Sequence, residues 1–90
     1  MLETNKVVRN EQIIFSSIAE EVIIMDTETN YYISLDEIAS VIWESISKPI
    51  AVQELCQSLC SQYDVDYDVC LKDVTKFLSE STEKGWVIVS

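Results

Sequence analysis

Three cysteines and a cluster of aspartates are the side chains with the most chemical potential in this sequence. Cys56 and Cys60 stand four residues apart, so on a helix both thiols share one face, and Cys70 adds a third sulfur. A structural zinc site needs four nitrogen or sulfur ligands. The chain has no histidine to supply the fourth. The same absence removes Cys–His and Ser–His nucleophile pairs and histidine general acid–base catalysis. An odd number of cysteines inside apolar helical patterns is expected to be reduced, each thiol packing as a small hydrophobe. Asp64, Asp66 and Asp68 alternate as in a calcium loop but lack its central glycine and closing glutamate. They read as a solvated loop leading into the favourable, negative start of a helix. Gly85 is the only glycine, which removes glycine-rich phosphate loops. No catalytic residue, metal or cofactor is expected, and the protein reads as a non-enzymatic binding protein.

Charge narrows the partners. Sixteen acidic against six basic residues give a net charge of -10, which repels nucleic acid and anionic lipid and favours basic or neutral partners. Ninety residues, 48% of them apolar, make one globular domain spanning 1–90. Met1 to Gln12 is polar and lacks an apolar signal region, and no apolar run reaches the roughly 18 residues of a membrane span. A cytoplasmic location is expected.

The elements that must position any site fall into two halves. Ile13-Ile14-Phe15, Val22 to Met25 and Tyr31-Tyr32-Ile33 are β-branched or aromatic runs, separated by polar breaks at Ser16-Ser17 and at Asp26 to Asn30. They predict a three-stranded meander, with Asn30 in a left-handed conformation. From Asp36, which can cap an incoming helix, the period becomes helical. Ile38, Val41, Ile42 and Ile46 mark a first helix ending near Pro49. Val52, Leu55, Cys56, Leu59, Cys60 and Tyr63 mark a second from about Ala51 to Tyr63. Tyr67, Cys70, Val74, Phe77 and Leu78 mark a third from about Asp66, with Gly85 as its C-cap. Trp86 to Val89 predicts a terminal strand or extended tail. The fold class is α+β, a three-stranded antiparallel sheet followed by three helices.

One feature of this layout can bind something. The third strand, Asn30 to Leu35, is an edge strand with no Pro, Lys or inward charge to block pairing. A peptide added there gains main-chain hydrogen bonds, while pockets for alternate side chains select its sequence. The competing possibility is that the tail Trp86 to Val89 covers this edge itself. A DNA-binding regulator is disfavoured, because the second helix has no Lys or Arg to meet phosphates.

Tyr31-Tyr32-Ile33-Ser34-Leu35-Asp36 followed by Ala39 and Ile42-Trp43 resembles the signature of PqqD-like proteins. The resemblance continues through Val52-Gln53-Glu54-Leu55, Tyr63-Asp64-Val65, Asp73-Val74, Phe77-Leu78 and Gly85-Trp86-Val87, nearly the whole chain from Val22. Two departures stand out: Asp36 replaces the usual Asn, and Ser47 to Ala51 lacks the customary Gly turn and Thr cap. The family comprises recognition elements for ribosomally made, post-translationally modified peptides, and the resemblance implies their fold, a winged helix-turn-helix with three strands followed by three helices. The chain is similar to its stand-alone members from lasso peptide clusters, and more loosely to the version that hands a precursor to a radical enzyme in pyrroloquinoline quinone synthesis.

The resemblance implies that a precursor's leader peptide binds as an antiparallel strand against the third strand, in a groove walled by the third helix. It also implies a leader protease of transglutaminase-like fold and a macrolactam synthetase as partners. By that mode the backbone of Tyr31, Tyr32, Ile33 and Ser34 pairs with the leader. On the third helix, either Val69, Asp73, Lys76 and Phe77 or Leu71, Thr75 and Leu78 face the groove. The first flank is favoured because it joins an apolar floor to charges able to fix register, with Lys72 and Glu80 at its rim. A proline at Ile33 is then expected to weaken capture.

Overall fold

A computed structural model describes all residues from Met1 to Ser90. In chain order the elements are β1 (Lys6–Arg9), β2 (Ile14–Ile18), β3 (Glu21–Asp26), β4 (Tyr31–Ser34), α1 (Glu37–Ser45), β5 (Ile50–Ala51), α2 (Val52–Gln62), α3 (Tyr67–Glu83) and β6 (Val87–Val89). The α+β class and the meander followed by three helices are as expected. A second sheet is new.

The meander is the antiparallel sheet β2-β3-β4. Phe15, Ile24 and Ile33 stand side by side across it, and because side chains alternate, this row and Val22 face the helices. Ser16-Ser17 is not a break. Both serines lie within β2, opposite Ile23 and Val22, where a short polar side chain is tolerated. The turn comes later, at Ala19 and Glu20, whose φ angles of 52° and 68° give the two-residue left-handed turn that suits strand twist. Neither residue type signals such a turn. The next loop does: Asp26 Oδ1 accepts from the amides of Glu28 (2.9 Å) and Thr29 (3.4 Å), and Asn30 takes a φ of 62°.

The second sheet has the order β5-β1-β6. Its central strand comes from the N-terminal segment that composition marks as merely polar. Val7 is fully buried there, and the short Val7-Val8 pair between Lys6 and Arg9 hides the strand from a hydrophobicity reading. The tail β6 pairs with β1 in the register Val7↔Val89, Val8↔Ile88 and Arg9↔Val87. It therefore does not cover β4.

Three of the helix ends have a clear local cause. Asp36 accepts from Ala39 N–H at 2.8 Å and caps α1. At α2 no side chain caps the first turn. Instead the backbone carbonyls of Asn5 and Glu3 accept from Val52 (2.9 Å) and Gln53 (3.0 Å), so the N-terminal arm satisfies two otherwise orphaned donors. α3 ends in a Schellman motif: Gly85, at φ 78°, donates to Thr82, and Trp86 donates to Ser81.

The helices and both sheets meet on one core centred on Trp43, Ile24, Ile42, Ile46, Leu55, Val74 and Leu78. Phe15 meets Trp43 edge to face at 5.5 Å. Arg9 joins the sheets to α1: its guanidinium lies 4.7 Å from the Phe15 ring centre, donates to the Trp43 carbonyl at 3.3 Å and approaches Glu44 at 3.8 Å. No helix is long and apolar enough to cross a membrane.

Candidate peptide-binding site

Strand β4 is bonded on one side only. Leu35 N–H donates to the Val22 carbonyl at 2.8 Å, which marks Val22–Leu35 as a hydrogen-bonded antiparallel pair. Such pairs alternate along the ladder. With Ile24 opposite Ile33 and Met25 opposite Tyr32, Ile33 points its backbone groups at β3, while Tyr32 and Ser34 point theirs away, at the open edge. Two residues thus offer a vacant template of N–H and C=O groups. Tyr31 and Tyr32 are each 72% exposed on the same strand.

The end of β4 is held firmly. Ser40, buried in α1, accepts from Val22 N–H at 3.0 Å and donates to the Leu35 carbonyl at 3.3 Å, tying the sheet to the helix just past the open edge. Ser40 gave no signal in sequence, since a serine among apolar helix positions reads as a gap in the stripe.

Facing this edge is a groove between the β4–α1 junction and one face of α3. Near the strand, a depression of about 210 Å³ is lined by Ile33, Ser34, Phe77 and Glu80, with Trp86 and Lys84 at one end. It adjoins a second, about 260 Å³, lined by Asp36, Ala39, Ile42, Asp73 and Phe77. A smaller one, about 80 Å³ and almost wholly apolar, follows at Ile38, Leu59, Tyr63, Val65, Val69 and Val74. Shared walls make the three continuous: Phe77, Asp36 and Ala39 between the first pair, Asp73 and Ile38 between the second.

Of the side chains named from sequence, Ile33, Ser34, Val69, Asp73, Phe77 and Glu80 come together along this groove. Lys72 and Lys76 are exposed on α3 outside its lining, and Tyr31 and Tyr32 lie beyond it on the strand. Of the other flank, Leu78 is fully buried in the core, and neither Leu71 nor Thr75 lines the groove. Asp36, Ile38, Ala39, Lys84 and Trp86 were missed. Ile38 looks like core by its spacing yet is 38% exposed, and Trp86 reaches the groove only because Gly85 turns the chain back. Lys84 Nζ sits 4.7 Å from the Trp86 ring centre. Ser81, at the groove floor, has a buried hydroxyl with no partner.

The thiols lie on α2 and α3; Cys70 lines the small apolar depression, and none lines the two depressions nearer β4. Cys56 and Cys70 are buried and Cys60 is half-buried. Burial, followed by the neighbouring Cys70, pushes Cys56 up to about 12, and burial also raises Cys70. Both thiols are held neutral and unreactive. Tyr67 rises to about 12, chiefly because its hydroxyl donates to Glu3 Oε1 at 2.7 Å. No group of three His, Cys, Asp or Glu is placed to hold a metal ion.

Three helices packed behind the three-stranded antiparallel sheet β2-β3-β4 make a winged helix-turn-helix. The family model of coenzyme PQQ synthesis protein D (PqqD) matches residues 21–87, and the chain belongs to that family. The matched stretch leaves out β1 and β2. Two solved structures share the fold. One is TbiB1 in complex with the TbiA(beta) leader peptide, 24% identical with a TM-score of 0.79, the match covering 89% of this chain and 93% of that one. The other is lasso peptide synthetase B1 complexed with the leader peptide, 17% identical with a TM-score of 0.77, covering 91% and 96%. No curated protein matches the chain in sequence.

Proposed function

We propose that this protein captures the leader of a ribosomally made precursor peptide as an antiparallel strand added to β4, in the groove against α3. It then delivers that peptide to the leader protease and macrolactam synthetase of lasso peptide biosynthesis. It acts without catalysing a reaction itself, in the cytoplasm. The observation that carries the reading is the outward pointing of Tyr32 and Ser34 beside a groove floored by Ile33 and Phe77. Main-chain pairing supplies affinity, and the groove reads alternate side chains. Two proteins of the same fold, TbiB1 and a lasso peptide synthetase B1, are complexed with leader peptides, which supports the choice of ligand.

A second reading keeps the capture and changes the recipient to a radical enzyme; the matched family, coenzyme PQQ synthesis protein D, takes its name from pyrroloquinoline quinone synthesis rather than from lasso peptides. Recipient and ligand are tested separately. Titrating the protein with a synthetic, fluorescein-labelled leader from a neighbouring precursor gene should give saturable anisotropy at micromolar concentration or below. No change at tens of micromolar would rule out capture of that leader. Pull-down of the protease and cyclase against the radical enzyme, with leader present, decides the recipient.

A further inference from the structure

The apolar depression at the far end of the groove has no role in strand pairing. It is lined by Ile38 from α1, Leu59 and Tyr63 from α2, Val65 from the α2–α3 loop, and Val69 and Val74 from α3. Val65 and Val69 are 45% and 54% exposed, so apolar surface is left facing solvent where a polar residue would cost the fold nothing. At about 80 Å³ it is far below the roughly 300 Å³ of the smallest usual metabolite sites. It fits one side chain.

The direction of pairing says whose side chain. A strand antiparallel to β4 has its N-terminal end beside Ser34, and β4 leads from Ser34 into Asp36 and α1. Residues upstream of the paired segment therefore run past Asp36 and Asp73 toward Ile38 and Val69. Asp73, an exposed carboxylate without an ion pair, forms a wall of both the middle depression and the apolar one. A cation on the passing peptide would meet it.

We infer that the groove ends in a socket for one aliphatic side chain of the same peptide, upstream of its paired segment, with a Lys or Arg on that residue's C-terminal side opposite Asp73. This rests on the proposed strand capture and adds a sequence requirement to it. The peptide is gripped twice, by backbone at β4 and by one anchor at the socket.

The probe is the synthetic leader used above, together with a series shortened one residue at a time from its N-terminus. Affinity should fall about tenfold or more at one step, the step that removes an aliphatic residue. Val69→Glu should weaken the full peptide by a similar factor and leave the shortened peptide's affinity unchanged. Val65→Asp, in the loop, should do the same without touching a helix. Ser34→Pro should weaken both peptides. If Val69→Glu and Val65→Asp leave full-length affinity within about twofold while Ser34→Pro removes it, capture stands and the socket is overturned. If the unaltered protein binds no peptide of the series, capture fails and the socket with it.

Discussion

Val7 stands directly opposite Val89 in antiparallel register, and this pair explains why β4 is free. The tail pairs with β1 and not with β4, which leaves the β4 edge uncovered. Val7 is fully buried, so Val7→Ala removes apolar contact and leaves a gap. Denaturant unfolding should show a loss of about 2 kcal/mol. Leader affinity of the folded protein should be unchanged, since Val7 takes no part in the groove.

The β2–β3 turn carries a local cost that can be relieved. Ala19 and Glu20 both occupy left-handed backbone conformations that Asn and Gly adopt more readily. Replacing the pair by Asn-Gly should raise stability by about 1 kcal/mol, measured by the shift in urea midpoint at constant slope.

At the groove floor, the Ser81 hydroxyl is buried without a partner. A group of this kind costs roughly 1–3 kcal/mol, so Ser81→Ala should stabilise the protein by about 1 kcal/mol in thermal or denaturant unfolding.

Alkaline pH should destabilise the fold through Cys56. Its thiol is raised from 9.0 to about 12 in the folded protein, mainly by burial. The folded state therefore holds a proton that the unfolded chain releases above pH 9.0. Stability contributed by the neutral thiol is complete below that pH and is lost as pH climbs toward 12. Unfolding midpoints between pH 8 and 11 should fall less steeply in Cys56→Ala. A thiol reagent at neutral pH should modify half-buried Cys60 before the other two.

Much of this architecture was legible because the pattern changes at Leu35 from short β-branched and aromatic runs to helical spacing, and because Asp36, Asn30 and Gly85 do what their side chains, or the lack of one, allow. β1 was not legible: its buried Val7 and half-buried Val8 lie between Lys6 and Arg9, and a four-residue strand gives too short a pattern. The site was half legible. Phe77 lies in the apolar arc of α3, and Asp73 and Val69 beside it were named through the family resemblance, whereas Asp36, Ile38 and Trp86 reach the groove through tertiary turns that spacing does not report. Register was the costliest omission. Ile33 is the natural mid-strand choice for a blocking proline, yet its N–H faces β3, so that change would damage the sheet. Ser34 is the position at which proline blocks the edge alone.

Amide hydrogen exchange on β4, read by NMR with and without the synthetic leader, tests strand capture most directly. Bound leader should slow exchange at Tyr32 and Ser34, whose N–H groups face the open edge, while Ile33 and Leu35, already bonded to β3, change little. Leader binding that leaves Tyr32 and Ser34 exchanging as fast as in the free protein would contradict it.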